Sequence, residues 1–202
     1  MPVSMNNRLL RDESTLNEIL FWIFEKTDHI EAVIGDYLHR HNVINSGIQL
    51  EKALIVCENL GTELQDVLNK AMEKFPGKSL KIRSSKEFYS HPEFQDRLHY
   101  FNVLHERNKT FGKDIDFLVQ QFLNRQGHID ATPDQIEHCN SYLFEELVIF
   151  ELLAEEGHLI NIYPGKQLLV LKDIVSGKLS KISHSLKQIC LVEMKFKYTS
   201  NK

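Results

Sequence analysis

Apolar residues recur along this chain at two spacings, and the spacing changes from segment to segment. In "ESTLNEILFWIFEKT", Leu16, Ile19, Leu20 and Ile23 return at helical intervals and Thr15 with Glu18 makes a capping box, which predicts a helix. "HIEAVIGD" is short and β-branched and ends in Gly-Asp, as a buried strand would. "IQLEKALIVCENLGTELQDVLNKAMEKF" predicts a long amphipathic helix from Ile48 to Phe75, with Leu50, Leu54, Cys57, Leu64, Leu68 and Phe75 near one face. Pro76-Gly77 stops it, and "SLKIRS" reads as the next strand. From Pro92 to Arg125 the pattern suggests two helices broken near Gly112.

The segment "ATPDQIEHCNSYLFEELVIFELLAEEG" has the clearest helical signature. Thr132 suits the N-cap, Pro133 the first helical position, and Gln135 completes a capping box. Ile136, Cys139, Leu143, Leu147, Phe150 and Ala154 form the expected buried stripe, and Gly157 ends the helix. "HLINIYPG", "QLLVLK" and "QICLVEMKFKY" then read as strands. Strand and helix alternate early, which predicts an α/β fold with a mostly parallel sheet flanked by helices.

Composition narrows the class. The 202 residues suit one domain spanning 1–202, and 42% hydrophobic with 26% charged residues is ordinary for a globular chain. No apolar run approaches about 18 residues and no secretory signal opens the chain, so a cytoplasmic protein without a membrane span is expected. Cys57, Cys139 and Cys190 are odd in number and far apart, and read as small core residues in a reducing compartment. Charge is uneven. Residues 166–202 carry eight basic against two acidic side chains, whereas the preceding 165 carry 16 against 26. A basic end could meet a polyanion such as RNA, or could simply be lysine-rich edge strands that resist aggregation.

Candidate chemistry begins at Ser4, at the end of a short first strand. A serine there could attack an activated carbonyl while backbone amides hold the oxyanion. No G-x-S-x-G elbow surrounds it. Tyr142 and Glu146 project from one helix face, in a row with Ile149 and Leu153, so Glu146 has apolar neighbours that Glu145 lacks. Such a carboxylate beside a phenol could hold an ammonium group and later move its proton. Tyr163-Pro164-Gly165 closes a strand, and Asn124-Arg125 closes a helix. Glu155-x-x-His158 has di-iron spacing, but its nearest counterpart is Asp96-x-x-His99 and Gly157 interrupts the helix, so no metal is expected.

"VSMNN", a helix with a tryptophan, "AVIGD", "YLFEEL" and "NIYP" follow one another in an order that resembles the cyclodipeptide synthases, over nearly the whole chain. The resemblance implies a Rossmann-like domain similar to the catalytic domain of class I tyrosyl- and tryptophanyl-tRNA synthetases. It also implies an aminoacyltransferase that joins two aminoacyl groups from aminoacyl-tRNAs into a cyclic dipeptide, as a monomer and with no cofactor. On that likeness Ser4 is the acyl acceptor, Tyr142 and Glu146 bind the α-amino group, and Tyr163 positions the serine. Asn7, Val33, Phe94, Asn124, Arg125, Ile149 and Pro164 fall at substrate-binding positions.

The chain departs from the family pattern in several places. Asn7 belongs to one branch signature and Tyr163-Pro164 to the other. Phe94 stands where many members carry a tyrosine. The helix from Ile48 offers Lys52, Lys70 and Lys74 where members often carry an arginine row, so the basic C-terminal stretch becomes the expected tRNA contact. Only Met1, Pro2 and Val3 precede Ser4, which leaves either an upstream start or an unusually short first strand. A catalytically degenerate relative that binds aminoacyl-tRNA, and an unrelated serine esterase, are the alternatives.

Overall fold

The computed structural model describes residues 1–5, 7–179 and 182–194, and of Arg8 the backbone only. The elements run β1 (Pro2–Val3), a 3-10 turn (Arg8–Leu10), α1 (Glu13–Phe24), β2 (His29–Ile34), α2 (Asp36–Asn45), α3 (Leu50–Met72) and β3 (Ser79–Ser84). A 3-10 segment (Ser85–Ser90), α4 (Phe94–Arg107), α5 (Lys109–Arg125) and α6 (Pro133–Glu155) follow. β4 (Ile160–Tyr163), α7 (Leu169–Val175), α8 (His184–Lys187) and β5 (Cys190–Glu193) complete the described fold.

All strand pairs are parallel. β1 pairs with β2 through Val3↔Ile34, β2 with β3 over six residues, and β4 with β5 from Ile160↔Cys190. β1 also lies against β4, although no hydrogen-bonded ladder joins them among the described residues. The spatial order is therefore β3-β2-β1-β4-β5, which places the reversal of a doubly wound sheet between β1 and β4. Ligands of open α/β sheets collect in such a crevice, at the carboxyl ends of the strands.

Period-two alternation along β2 divides the interior. Ile30, Ala32 and Ile34 join the core built with α1 and α3, while Val33 points into the core built by α4 to α8. α6 is the spine of that second core, with Leu147, Val148 and Ile149 almost wholly buried. Its start is as the pattern predicts: the Thr132 side chain accepts from Gln135 N, and the Gln135 side chain in turn accepts from Thr132 N. No described helix is long and apolar enough to cross a membrane.

The structure corrects several expectations. α1 is capped by Asp12, whose carboxylate takes both the backbone N–H and the hydroxyl of Thr15, so Thr15 lies inside the helix and is not its cap. The break expected at Gly112 falls at Asn108, whose side chain caps α5. Gly112 sits within α5 because a Cβ there would come 2.8 Å from the His105 carbonyl oxygen, so its absence lets α5 close on α4. "QLLVLK" enters α7, with Val170, Leu171 and Ile174 buried at helical spacing. A short apolar run fits strand and helix equally, and contacts with α5 and α8 decide it here. Ile136 is 39% exposed and Leu50 53%, since each lies in a helix's first turns beyond the packed stretch. Cys57 and Cys139 are buried as expected, but Cys190 is exposed at the start of the outermost strand β5. α2 was not anticipated. The last strand is described only to Glu193, and expectations for Lys181 and for residues from 195 onward lie outside the described residues.

Candidate active site

Ser4 follows β1 at the switch point. Its carbonyl accepts the Asn7 N–H at 3.0 Å, which turns the chain away from the sheet. Asn7 then donates from Nδ2 to the Pro164 carbonyl at 3.0 Å, tying the loop after β1 to the loop after β4. The two branch-signature positions are thus in direct contact, and Ser4 and Tyr163 come to the same edge of the sheet. The Ser4 hydroxyl adjoins the Tyr163 phenol and favours its ionised form.

A cavity of about 460 Å³ opens in the crevice. Ser4, Val33 and Tyr163 line it from the strands, and Tyr142, Glu146, Ile149 and Leu153 from α6. The α6 residues fall at i, i+4, i+7 and i+11, one face of a helix, so a single stripe supplies both the polar pair and the apolar wall. Asn124 and Arg125 at the end of α5 do not line it. Arg125 nevertheless stands close enough for its charge to be felt by Tyr163. Pro164 contributes its carbonyl to Asn7 and does not line the cavity itself.

The electrostatics are set by burial. Glu146 loses hydration without gaining a partner: Oε2 is buried and has no hydrogen bond, and burial pushes the carboxyl up to about 7. Tyr142 is raised by burial and by the neighbouring Glu146, Tyr163 and Tyr89. Tyr163 is raised by burial and by Glu146, partly offset by the adjoining Ser4 hydroxyl and by Arg125. The site therefore combines a neutral nucleophile, two phenols and a carboxyl group that can take or give a proton near neutral pH.

Glu145, the next residue, has the opposite character. It is buried, and it meets Arg40 Nη2 at 2.7 Å, His41 Nε2 at 3.0 Å and the Tyr89 hydroxyl. Burial alone would raise its carboxyl, but the hydrogen bond from His41, the charges of His41 and Arg40 and the Tyr89 bond hold it below the ordinary range. Arg40 also donates to Tyr89 Oη at 3.1 Å and to the Tyr37 carbonyl at 2.7 Å, and its guanidinium lies 4.0 Å over the Tyr37 ring. None of these four residues was marked in the sequence. Arg40 and His41 sit on the unanticipated α2, and Tyr89 lies in the 3-10 segment capped by Ser84. Phe94 is fully buried, does not line the cavity, and stacks on Tyr89 at 4.3 Å. Tyr89 does not line the cavity either, and its hydroxyl is committed to Glu145 and Arg40. Replacing Arg40 with methionine strands a buried carboxylate and should cost about 3–5 kcal/mol, read as a lower urea midpoint. Adding Glu145→Leu should restore part of it.

The Glu155-x-x-His158 pair does not converge. Glu155 is engaged by Arg97 and Ser185, and Gly157, at φ 94°, turns the chain so that His158 meets Glu31 instead. Glu31, Glu156 and His158 do come together, but Arg83 bonds to both carboxylates and Lys81 to Glu31.

Comparison with known proteins agrees with the fold. The cyclodipeptide synthase family model matches residues 1–153. No curated protein matches the sequence significantly. Among solved structures, a cyclodipeptide synthase from Fluoribacter dumoffii superposes with a TM-score of 0.81 at 16% identity, covering 98% of this chain and 88% of that one. A Mycobacterium tuberculosis protein, described as demonstrating that cyclodipeptide synthetases are related to type I tRNA synthetases, gives 0.68 at 18% identity, covering 92% and 78%. A cyclodipeptide synthase from Candidatus Glomeribacter gigasporarum, solved bound to Phe-tRNAPhe, gives 0.65 at 18%, covering 100% and 91%. With the family model spanning most of its length, the chain belongs to the cyclodipeptide synthases, a family of tRNA-dependent aminoacyltransferases.

Proposed function

We propose that the chain condenses two aminoacyl-tRNAs into a cyclic dipeptide by way of an aminoacyl ester on Ser4. The observation that carries this is the convergence of Ser4, Tyr163, Tyr142 and Glu146 on one cavity. An aminoacyl ester is already activated, so its transfer to serine is an ester exchange that needs no strongly basic relay. The Ser4 proton passes to the departing ribose hydroxyl of the tRNA, with Tyr163 adjoining as the positioning phenol.

The later steps need a base. Each α-ammonium group gives up two hydrogens as its nitrogen becomes an amide: one ends on a leaving hydroxyl, the other must go to solvent. Glu146, balanced near pH 7, accepts it, and Tyr142 helps hold the amine. The amine of the second aminoacyl-tRNA attacks the acyl-serine carbonyl and Ser4 leaves as its hydroxyl; the resulting dipeptidyl-tRNA then closes its ring as its free amine attacks the tRNA ester and releases the tRNA hydroxyl. Val33, Ile149 and Leu153 make the wall apolar, which favours uncharged side chains. On this reading the enzyme works as a cytoplasmic monomer.

The test is mass spectrometry of medium from bacteria expressing the chain. A cyclic dipeptide absent from the empty-vector culture supports the synthase reading and names the product. Folded protein without product would leave a relative that only binds charged tRNA, and free amino acid alone would indicate an esterase.

A further inference from the structure

The ion pairs of the described residues distribute positive charge unevenly between the two ends of the crevice. Near the amino ends of the strands Lys78 pairs with Asp28 and Lys26 with Glu25, and along β3 Lys81 and Arg83 pair with Glu31. At the end of α3 and just beyond it, Lys70 and Lys74 both pair with Glu13. In the basic C-terminal stretch, Lys172 is held by Glu193 and Lys178 by Asp173. In the two places where the sequence suggested tRNA contacts, Lys70, Lys74, Lys172 and Lys178 are therefore engaged by carboxylates, which leaves Lys166, the first residue of the C-terminal stretch, outside these pairs.

The carboxyl edge differs. Arg11, Arg125 and Lys166 are exposed there and have no ion-pair partner among the described residues. Three separate segments bring them in. Arg11 is four residues beyond Asn7, and its charge is felt by His39, just past the end of β2. Arg125 ends α5, and its charge reaches Tyr163. Lys166 is two residues beyond Pro164, whose carbonyl is bonded to Asn7. Arg11 and Lys166 thus follow the two loops that the Asn7–Pro164 bond ties together, and Arg125 acts on Tyr163 beside Ser4, all three outside the cavity lining itself.

We propose that Arg11, Arg125 and Lys166 form the phosphate-binding rim that seats the acceptor end of the tRNA over Ser4. This rests on the synthase reading above. Exposed unpaired cations lose little hydration and displace condensed counterions when they meet phosphates, so they supply affinity without reading sequence. Their position makes the carboxyl edge the entrance, and the terminal ester would then approach the Ser4 hydroxyl directly. Arg107, Lys109 and Lys113 are also without ion-pair partners, but the 17 residues of α5 put its start about 24 Å from its end, too far to serve the same few nucleotides.

The rim is tested by the salt dependence of binding, using fluorescein-labelled deacylated tRNA with an intact 3′ end. Arg11→Gln, Arg125→Gln and Lys166→Gln are compared with their triple combination and with a Lys70→Gln, Lys74→Gln pair at the end of α3, each checked for folding by circular dichroism. Each single rim variant should lower the slope of log affinity against log salt by about 0.7–0.9, and the triple by about 2–3. The α3 pair should bind as the unaltered chain does. A triple variant with unchanged slope, or an α3 pair that loses slope, overturns the rim while leaving the synthase reading intact. If the triple variant fails to fold, the singles decide by the same criterion. An unaltered chain with no affinity for tRNA at low salt would overturn both.

Discussion

Ser4→Ala should reduce cyclic dipeptide formation by about a thousandfold or more while leaving a folded protein that still binds tRNA. The serine is half-buried just after a two-residue strand, with its hydroxyl beside the Tyr163 phenol. Losing that hydroxyl removes about 1 kcal/mol at most, so the melting temperature should hardly move. The chemistry has no substitute, because the neighbouring hydroxyls belong to phenols whose ionisation burial and Glu146 oppose. Product should be measured with purified aminoacyl-tRNAs, and melting in the same buffer. A variant that retains product would remove Ser4 from the mechanism. One that melts far below the parent would point to a structural role.

Glu146→Gln should separate activity from stability. Loss of the base is expected to lower the rate by about 10²–10⁴-fold. Stability should move the other way, with a sign fixed by the direction of the shift. Burial raises the Glu146 carboxyl to about 7, so the folded chain binds a proton that the unfolded chain has lost above the ordinary glutamate range. The parent therefore loses stability as pH rises from about 4.5 through about 7, and above that it bears the full cost of an ionised, unpartnered carboxylate. Glutamine carries no such burden. Its melting temperature should match the parent's near pH 5 and exceed it at pH 8, by an amount corresponding to roughly 3 kcal/mol. Parallel melting curves across that range would mean that Glu146 is not held in its neutral form. The activity of the parent should rise through pH 7 as the carboxylate forms.

The contrast between Glu145 and Glu146 shows what the sequence could and could not disclose. Helix α6 was legible because its cap, its proline and its stripe all agree, and from it the Tyr142–Glu146 row follows directly. Glu145 looked like the solvent-facing neighbour because its partners Arg40, His41 and Tyr89 lie 105, 104 and 56 residues away, and no spacing rule connects them. α2 itself was obscured by its content: "DYLHRHNVIN" mixes polar and apolar residues with little periodicity, and its buried Arg40, His41 and Asn45 owe their burial to tertiary partners. Phe94, read as a substrate-binding position, is instead fully buried against the Tyr89 ring and away from the cavity, a tertiary placement that spacing does not disclose. A mostly parallel sheet was recoverable from the alternation of strand and helix, whereas the strand order and the crevice between β1 and β4 depend on tertiary contacts that no spacing discloses.

The central claim is a covalent aminoacyl ester on Ser4, and intact-protein mass spectrometry reads it directly. The purified chain would be mixed with one aminoacyl-tRNA whose amino acid appears in the cyclic product, then quenched in acid within seconds. The expected result is a mass increase of one aminoacyl residue, located by fragmentation to the peptide containing Ser4 and absent from Ser4→Ala. Product formation by the parent with no adduct at any quench time, or an adduct that persists in Ser4→Ala, would contradict it.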